Sequence, residues 1–166
     1  MELEFRAAKT DDLDRIFAMY SAAIQEMKRN GIEQWDEIYP DRDILEEDIK
    51  KHQLFIGCIG TELACAYVLN EECDEDYKNG SWCCPEDSYL VIHRLCVNPA
   101  FQKQGLGGRT LAHIEEAVRG RGKTSIRLDA FPPNIFAIRM YEKRDYRKTG
   151  FIDLRKGRFY LMEKEL

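Results

Sequence analysis

Residues 88–110 read SYLVIHRLCVNPAFQKQGLGGRT: a long, largely apolar strand runs into a glycine-rich loop, and that loop opens a helix. Gly105, Gly107 and Gly108 remove side chains where a backbone can come close to whatever the loop holds. Free N–H groups at the first turn of a helix, together with its dipole, favour an anion there, phosphate above all. Beyond the loop, Leu111, Ile114 and Val118 share one helix face.

The flanking sequence extends the pattern in both directions. LEFRAAK (3–9) alternates as a strand, and Thr10 stands where it can cap a helix whose first turn carries Asp11, Asp12 and Asp14. Leu13, Ile16, Phe17, Tyr20, Ile24 and Met27 recur at helical spacing until Asn30-Gly31. A loop, IEQWDEIYP, precedes a second helix over 41–52 with Ile44, Leu45 and Ile49 inward. Residues 53–70 read as two strands turning at Gly60-Thr61, and the acidic 71–87 stretch reads as a surface insertion. TSIRLDAF is a further strand, 132–143 a helix begun by Pro132-Pro133-Asn134, and YRKTGFIDL and RFYLMEKEL two closing strands. The order β-α-α-β-β-β-α-β-α-β-β describes an α/β (α+β) chain with a mixed sheet and helices beside it.

Length and charge narrow the function. The chain has 166 residues, which suits a single domain over 1–166. A formal net charge of −5 disfavours nucleic acid and favours a cationic partner by steering alone. No apolar run reaches the ~20 residues of a spanning helix, and the acidic start does not resemble a leader, so a cytoplasmic protein without membrane contact is expected. Cys58, Cys65 and Cys96 lie in apolar runs and read as small hydrophobes. Cys73, Cys83 and Cys84 lack C-x-x-C spacing, so no metal is expected.

Three loops of this kind have to be told apart. A P-loop needs G-x-x-x-x-G-K-[ST], whereas here Lys103 falls at the first glycine and Arg109 at the lysine. A dinucleotide fingerprint fits Gly105-Leu106-Gly107, with Asp129 at a plausible distance for a ribose. Thr110 replaces its third glycine, however, and seven residues separate Val97 from Gly105. The third is the signature [RQ]-x-x-G-x-[GA], met by Gln102-Lys103-Gln104-Gly105-Leu106-Gly107. With HRLCVNPAFQ before it, and with Asn134, Ala137 and Tyr141 reproducing N-x-x-A-x-x-x-Y after it, the chain resembles the GNAT superfamily of N-acetyltransferases. Within that superfamily it resembles the ribosomal-protein branch. The likeness is strongest over 88–150 and weakest over 26–40 and 71–87. Asp145-Tyr146 replaces the family's usual Gly-Phe.

The resemblance implies a mostly antiparallel sheet of about seven strands, splayed in the middle and flanked by about four helices. It implies acetyl-CoA as acetyl donor, with pyrophosphate on Gln102, Lys103, Gln104, Gly105, Leu106, Gly107 and Gly108 and pantetheine against Leu95, Cys96 and Val97. Asn134, Ala137 and Tyr141 complete the donor site, and Tyr141 falls where the family places the acid that protonates the thiolate of CoA. Its bland alternative is a core tyrosine with its hydroxyl tied off. Asp129 and His93 both stand as candidate bases, with a water chain as the third reading.

The acceptor is an amine, on a small molecule or a protein, whose identity the sequence leaves open together with the oligomeric state, a homodimer included. Glu33, Trp35, Asp36 and Tyr39 either line its pocket or anchor a connection between helices. Two other classes are carried beside the transferase: a non-catalytic acyl-CoA-binding domain and a nicotinamide oxidoreductase. CoA release with an amine separates the first, and NAD against acetyl-CoA binding the second.

Overall fold

The computed structural model describes residues 2–166. Its elements are β1 (Glu4–Ala7), α1 (Leu13–Arg29), α2 (Arg42–Lys50), β2 (Leu54–Ile59), β3 (Glu62–Asn70), β4 (Tyr89–Val97), α3 (Leu106–Gly120), β5 (Ser125–Ala130), α4 (Ile135–Lys143), β6 (Arg147–Leu154) and β7 (Gly157–Glu165). The seven strands follow the order β1-β2-β3-β4-β5-β7-β6 in one mixed sheet, mostly antiparallel, as expected. Two compact units are distinguished within the chain: residues up to Leu69 with Arg94–Thr110, and Asn70–His93 with Leu111–Leu166.

In the first unit, β1, β2 and β3 pair antiparallel. The apolar stripe of α1 is buried through Leu13, Ile16, Tyr20 and Ile24, and that of α2 through Leu45 and Ile49, in one cluster with Leu54, Ile56, Ala66 and Val68. Thr10 does not cap α1. It opens a single 3-10 turn, Thr10–Asp12, and the helix begins after Asp12. The carboxylate of Asp12 accepts from the Lys9 amide at 2.8 Å and from Arg6 at 2.7 and 2.9 Å. These charge-assisted bonds outcompete a hydroxyl cap. The second helix is shorter than the sequence suggests, because His52 turns into the left-handed region at φ 57° and ends it.

In the second unit, β5 pairs with β7 over six residues and β6 with β7. Glu115, almost wholly buried on α3, accepts from Arg144 at 2.7 and 3.0 Å, Lys164 at 2.8 Å and the Tyr146 hydroxyl at 3.2 Å. Burial pushes its carboxyl up, but the bonds from Arg144 and Lys164 outweigh that and hold it below the ordinary range. Asp145, where the family has glycine, takes φ 68°, and the Tyr146 amide returns to the Tyr141 carbonyl at 3.1 Å. An Asp tolerates this left-handed stop better than most residues with a Cβ.

The 71–87 stretch is more than a surface insertion. It contains a 3-10 turn, Glu75–Asn79, and buries Tyr77 to 2% exposure. Its acidic residues point outward, so composition alone reads as surface, while its aromatics face Arg127 and Asp129 of β5.

Candidate active site

The loop between β4 and α3 is fixed at both ends by apolar anchors. Phe101 and Leu106 bury against Ile59 and Ala64, with Leu3 and Val97 packed beside them. Thr110, in the place of a third glycine, donates to the Leu106 carbonyl at 2.7 Å and to Cys65 Sγ at 3.3 Å, which ties the start of α3 to β3. Between the anchors the backbone turns left-handed at Lys103 (φ 63°) and Gly105 (φ 75°). The first helical bond of α3 runs from the Arg109 amide to the Gly105 carbonyl at 3.2 Å. The amides of Leu106, Gly107 and Gly108 therefore precede the helical ladder and have no helical acceptor. Open space lies where a Cβ on Gly105 or Gly108 would stand. Free N–H groups, a helix N-terminus and room in front of it are what an anionic group such as a pyrophosphate needs.

The strand that feeds this loop departs from regular geometry twice. Its parallel ladder with β5 has three rungs, Tyr89↔Ser125 to Val91↔Arg127, while β5 stays paired with β7 as far as Ala130. No rung of that ladder reaches Leu95, Cys96 or Val97. Arg94 is left-handed at φ 50°, which interrupts the two-residue alternation. His93 and Leu95 therefore do not share a face in the way an unbroken strand would place them. Sequence reasoning missed Arg94 altogether. Its guanidinium bonds Asp48 at 2.7 and 2.9 Å and the Tyr39 hydroxyl at 2.8 Å, and its carbonyl accepts from Tyr20. A strained residue held by four hydrogen bonds to three groups from three segments is over-determined, as residues next to reaction centres often are.

The candidate acid and bases lie in the second unit. Asn134 accepts from the Ala137 amide at 3.2 Å and caps α4, which begins at Ile135 rather than at the prolines. The N-x-x-A spacing is thus a helix start. One turn on, Tyr141 is 8% exposed and packs edge-on to Tyr146 at 5.7 Å. Among the described residues its hydroxyl makes no hydrogen bond, unlike a core tyrosine with its OH tied off. Burial, and secondarily the charge of Asp129, push its phenol up, so it stays protonated at neutral pH. Asp129 accepts from the Tyr77 hydroxyl at 2.5 Å. His93 Nε2 lies 2.8 Å from both Asn70 Oδ1 and the Glu72 carbonyl, two acceptors, so Nε2 carries the proton.

The 31–40 loop is held from within. Trp35 is buried against Tyr20 with centroids 5.6 Å apart. Asp36 is buried and accepts from the amides of Ile38 and Tyr39 at 3.0 and 3.2 Å. Both residues hold the loop from within. Glu33 is exposed and Tyr39 half-buried.

The seven-stranded mixed sheet, with a nest of amides outside the helical ladder opening α3, is an acetyltransferase-type fold. The sequence profile of the acetyltransferase (GNAT) family matches residues 16–146, and the chain belongs to that family. It is 26% identical over 161 residues to the uncharacterized N-acetyltransferase YesJ of Bacillus subtilis (strain 168), covering 94% of this chain and 86% of that protein. A GNAT-family acetyltransferase from Streptococcus agalactiae 2603 superposes with a TM-score of 0.88 at 24% identity, over 99% of this chain and 95% of the other. The fold is also that of yncA from Salmonella typhimurium, a putative acetyltransferase solved with its cofactor acetyl-CoA (TM-score 0.74, 16% identity, 100% and 95% covered). An acetyltransferase of this family takes its acetyl group from acetyl-CoA. No helix among the described residues is long and apolar enough to cross a membrane.

Proposed function

We propose that the chain moves the acetyl group of acetyl-CoA to the primary amine of a separate acceptor by direct attack, with no acetylated side chain between. The observation that carries this reading is the Tyr141 phenol: its ring buried, its proton held, and its oxygen bonded to nothing among the described residues. A phenol whose ring is buried while its oxygen keeps no bond to the protein is placed to act on a bound group. Tyr141 gives its proton to sulfur as the C–S bond breaks. The amides of Leu106, Gly107 and Gly108, with the turn from Gln102 through Gly105, hold the pyrophosphate, and the backbone of Leu95, Cys96 and Val97 offers strand-like bonds to the pantetheine amides. Backbone N–H groups near the end of β4 face the oxygen that gains charge. Asp129 takes the proton that the amine loses as the C–N bond forms.

Gly107→Glu tests the donor site. It adds bulk and a like charge where the anion would sit, so acetyl-CoA binding should fall below detection in calorimetry while circular dichroism stays that of the parent. Unchanged affinity in a folded variant removes the assignment. A screen of amines for CoA release identifies acceptors.

The base is tested by pH profiles of kcat/KM. Asp129→Asn should flatten the ascending limb and lower the plateau by about 10²-fold or more, whereas His93→Gln, whose Nε2 is already taken by Asn70 and Glu72, should keep both. If both variants retain parent profiles, a water chain carries the proton.

A further inference from the structure

The second unit holds a recess of about 440 Å³ that the transferase reading does not use, walled by Tyr77, Trp82 and Tyr89 and closed inside by Arg127. That volume falls within the range of about 300–1,000 Å³ usual for small-ligand sites. Arg127 is 2% exposed, and its guanidinium lies 4.3 Å from the ring centre of Trp82 and 3.9 Å from that of Tyr89. Stacking of this kind fixes the plane of the fork and leaves only its edges for hydrogen bonds.

Those edges are poorly served. Nε has no acceptor, and the Nη atoms reach only the Cys84 carbonyl at 3.4 Å and the Glu86 carboxylate at 3.4 and 3.5 Å. Glu163, directly across the ladder from Arg127, accepts instead from the amides of Cys83 and Cys84 at 2.8 and 3.2 Å. A well-formed Arg–carboxylate pair sits at about 2.7–2.9 Å. Arg127 is therefore a buried cation with a stretched, exchangeable partner, since Glu86 is 80% exposed and leaves for water at little cost.

The rim decides what replaces Glu86. A bare anion on Arg127 would lie beside Glu86, with Asp74 also lining the recess; Lys78, the other cation of its lining, is 3.5 Å from the Glu75 carboxylate, so the carboxylates outweigh it and like charges would oppose the anion. A bare cation would meet Arg127. A ligand carrying a carboxylate next to an ammonium satisfies both: its carboxylate takes the guanidinium edge, and the displaced Glu86 accepts its ammonium. We propose that this recess binds a free α-amino acid, carboxylate inward on Arg127 and ammonium on Glu86, with the side chain against the aromatic walls.

Calorimetry with the chain alone, without acetyl-CoA, tests this independently of the transferase reading. The probes are the standard α-amino acids, each against its α-carboxamide and its N-acetyl derivative. At least one free amino acid should saturate, and both blocked forms should bind about 10-fold or more weakly. Arg127→Lys should weaken the free form by at least about 10-fold, because an ammonium cannot offer the planar fork. Glu86→Gln, at an exposed position, leaves the fold intact even if Arg127→Lys does not, and should weaken the free form more than its N-acetyl derivative. No saturation by any amino acid at millimolar concentration, or equal affinity for acid and carboxamide, or affinity unchanged in Glu86→Gln, overturns the proposal.

Discussion

Tyr141→Phe should lower kcat by about 10²–10⁴-fold while leaving acetyl-CoA affinity and the melting temperature close to those of the parent. The two halves of that expectation have separate causes. The ring stays, so its edge-on contact with Tyr146 and its burial on α4 stay with it. The hydroxyl bonds to nothing among the described residues, so its removal breaks no protein hydrogen bond there. Stability should hold. The lost rate comes from a thiolate that must leave without a proton. Burial and the Asp129 carboxylate keep the phenol in its acid form at neutral pH, so the defect should persist across the neutral range. CoA release with an amine from the acceptor screen measures kcat, and calorimetry measures donor affinity. A lower melting temperature with parent kcat would mark Tyr141 as structural. Parent values of both would mean that the thiolate leaves unassisted.

What the sequence makes legible here is local. The strand, the glycine turn and the α3 face are neighbours along the chain, so composition and spacing place them. Asn134 and Ala137 are three apart because a helix cap spans three residues, and that too is visible in a string. The same holds for Asp41, whose side chain accepts from the Ile44 amide at the start of α2. Interactions between distant segments are not visible in this way. Arg94 reads as one more residue in an apolar strand, because Asp48 and Tyr39, which make its left-handed turn tolerable, lie 46 and 55 residues before it. Tyr77 and Trp82 sit in an acidic stretch with no periodicity, and Asp129 and Arg127, 52 and 45 residues on, give them something to cover. His93 keeps its residue type in either reading. Its tautomer is set by Asn70 and Glu72, which no spacing rule links to it.

Asp48→Ala should destabilise the chain by about 3–5 kcal/mol, read as a lower urea midpoint, because it strands a charge. Arg94 and Asp48 are 12% and 8% exposed along their side chains, and their two bonds at 2.7 and 2.9 Å are the main compensation for burying the guanidinium. With Asp48 gone, that guanidinium keeps the Tyr39 hydroxyl at 2.8 Å, and a neutral hydroxyl does not balance a buried cation. Asp48→Asn keeps an acceptor oxygen and the side-chain volume, so it should cost less than alanine. The pair also holds Arg94 at φ 50°, a conformation that opposes a residue with a Cβ by about 1–2 kcal/mol. Removing both charges separates the two roles. Asp48→Leu with Arg94→Met has no stranded ion and should recover most of the lost stability, as apolar replacements of buried ion pairs often do. Only the Tyr20 hydroxyl on the residue-94 carbonyl then holds the left-handed turn, so β4 should relax towards regular strand and shift Leu95, Cys96 and Val97 out of register with the loop they feed. Restored urea midpoint with kcat/KM still depressed is the expected result; recovery of both would mean that the ion pair serves stability alone.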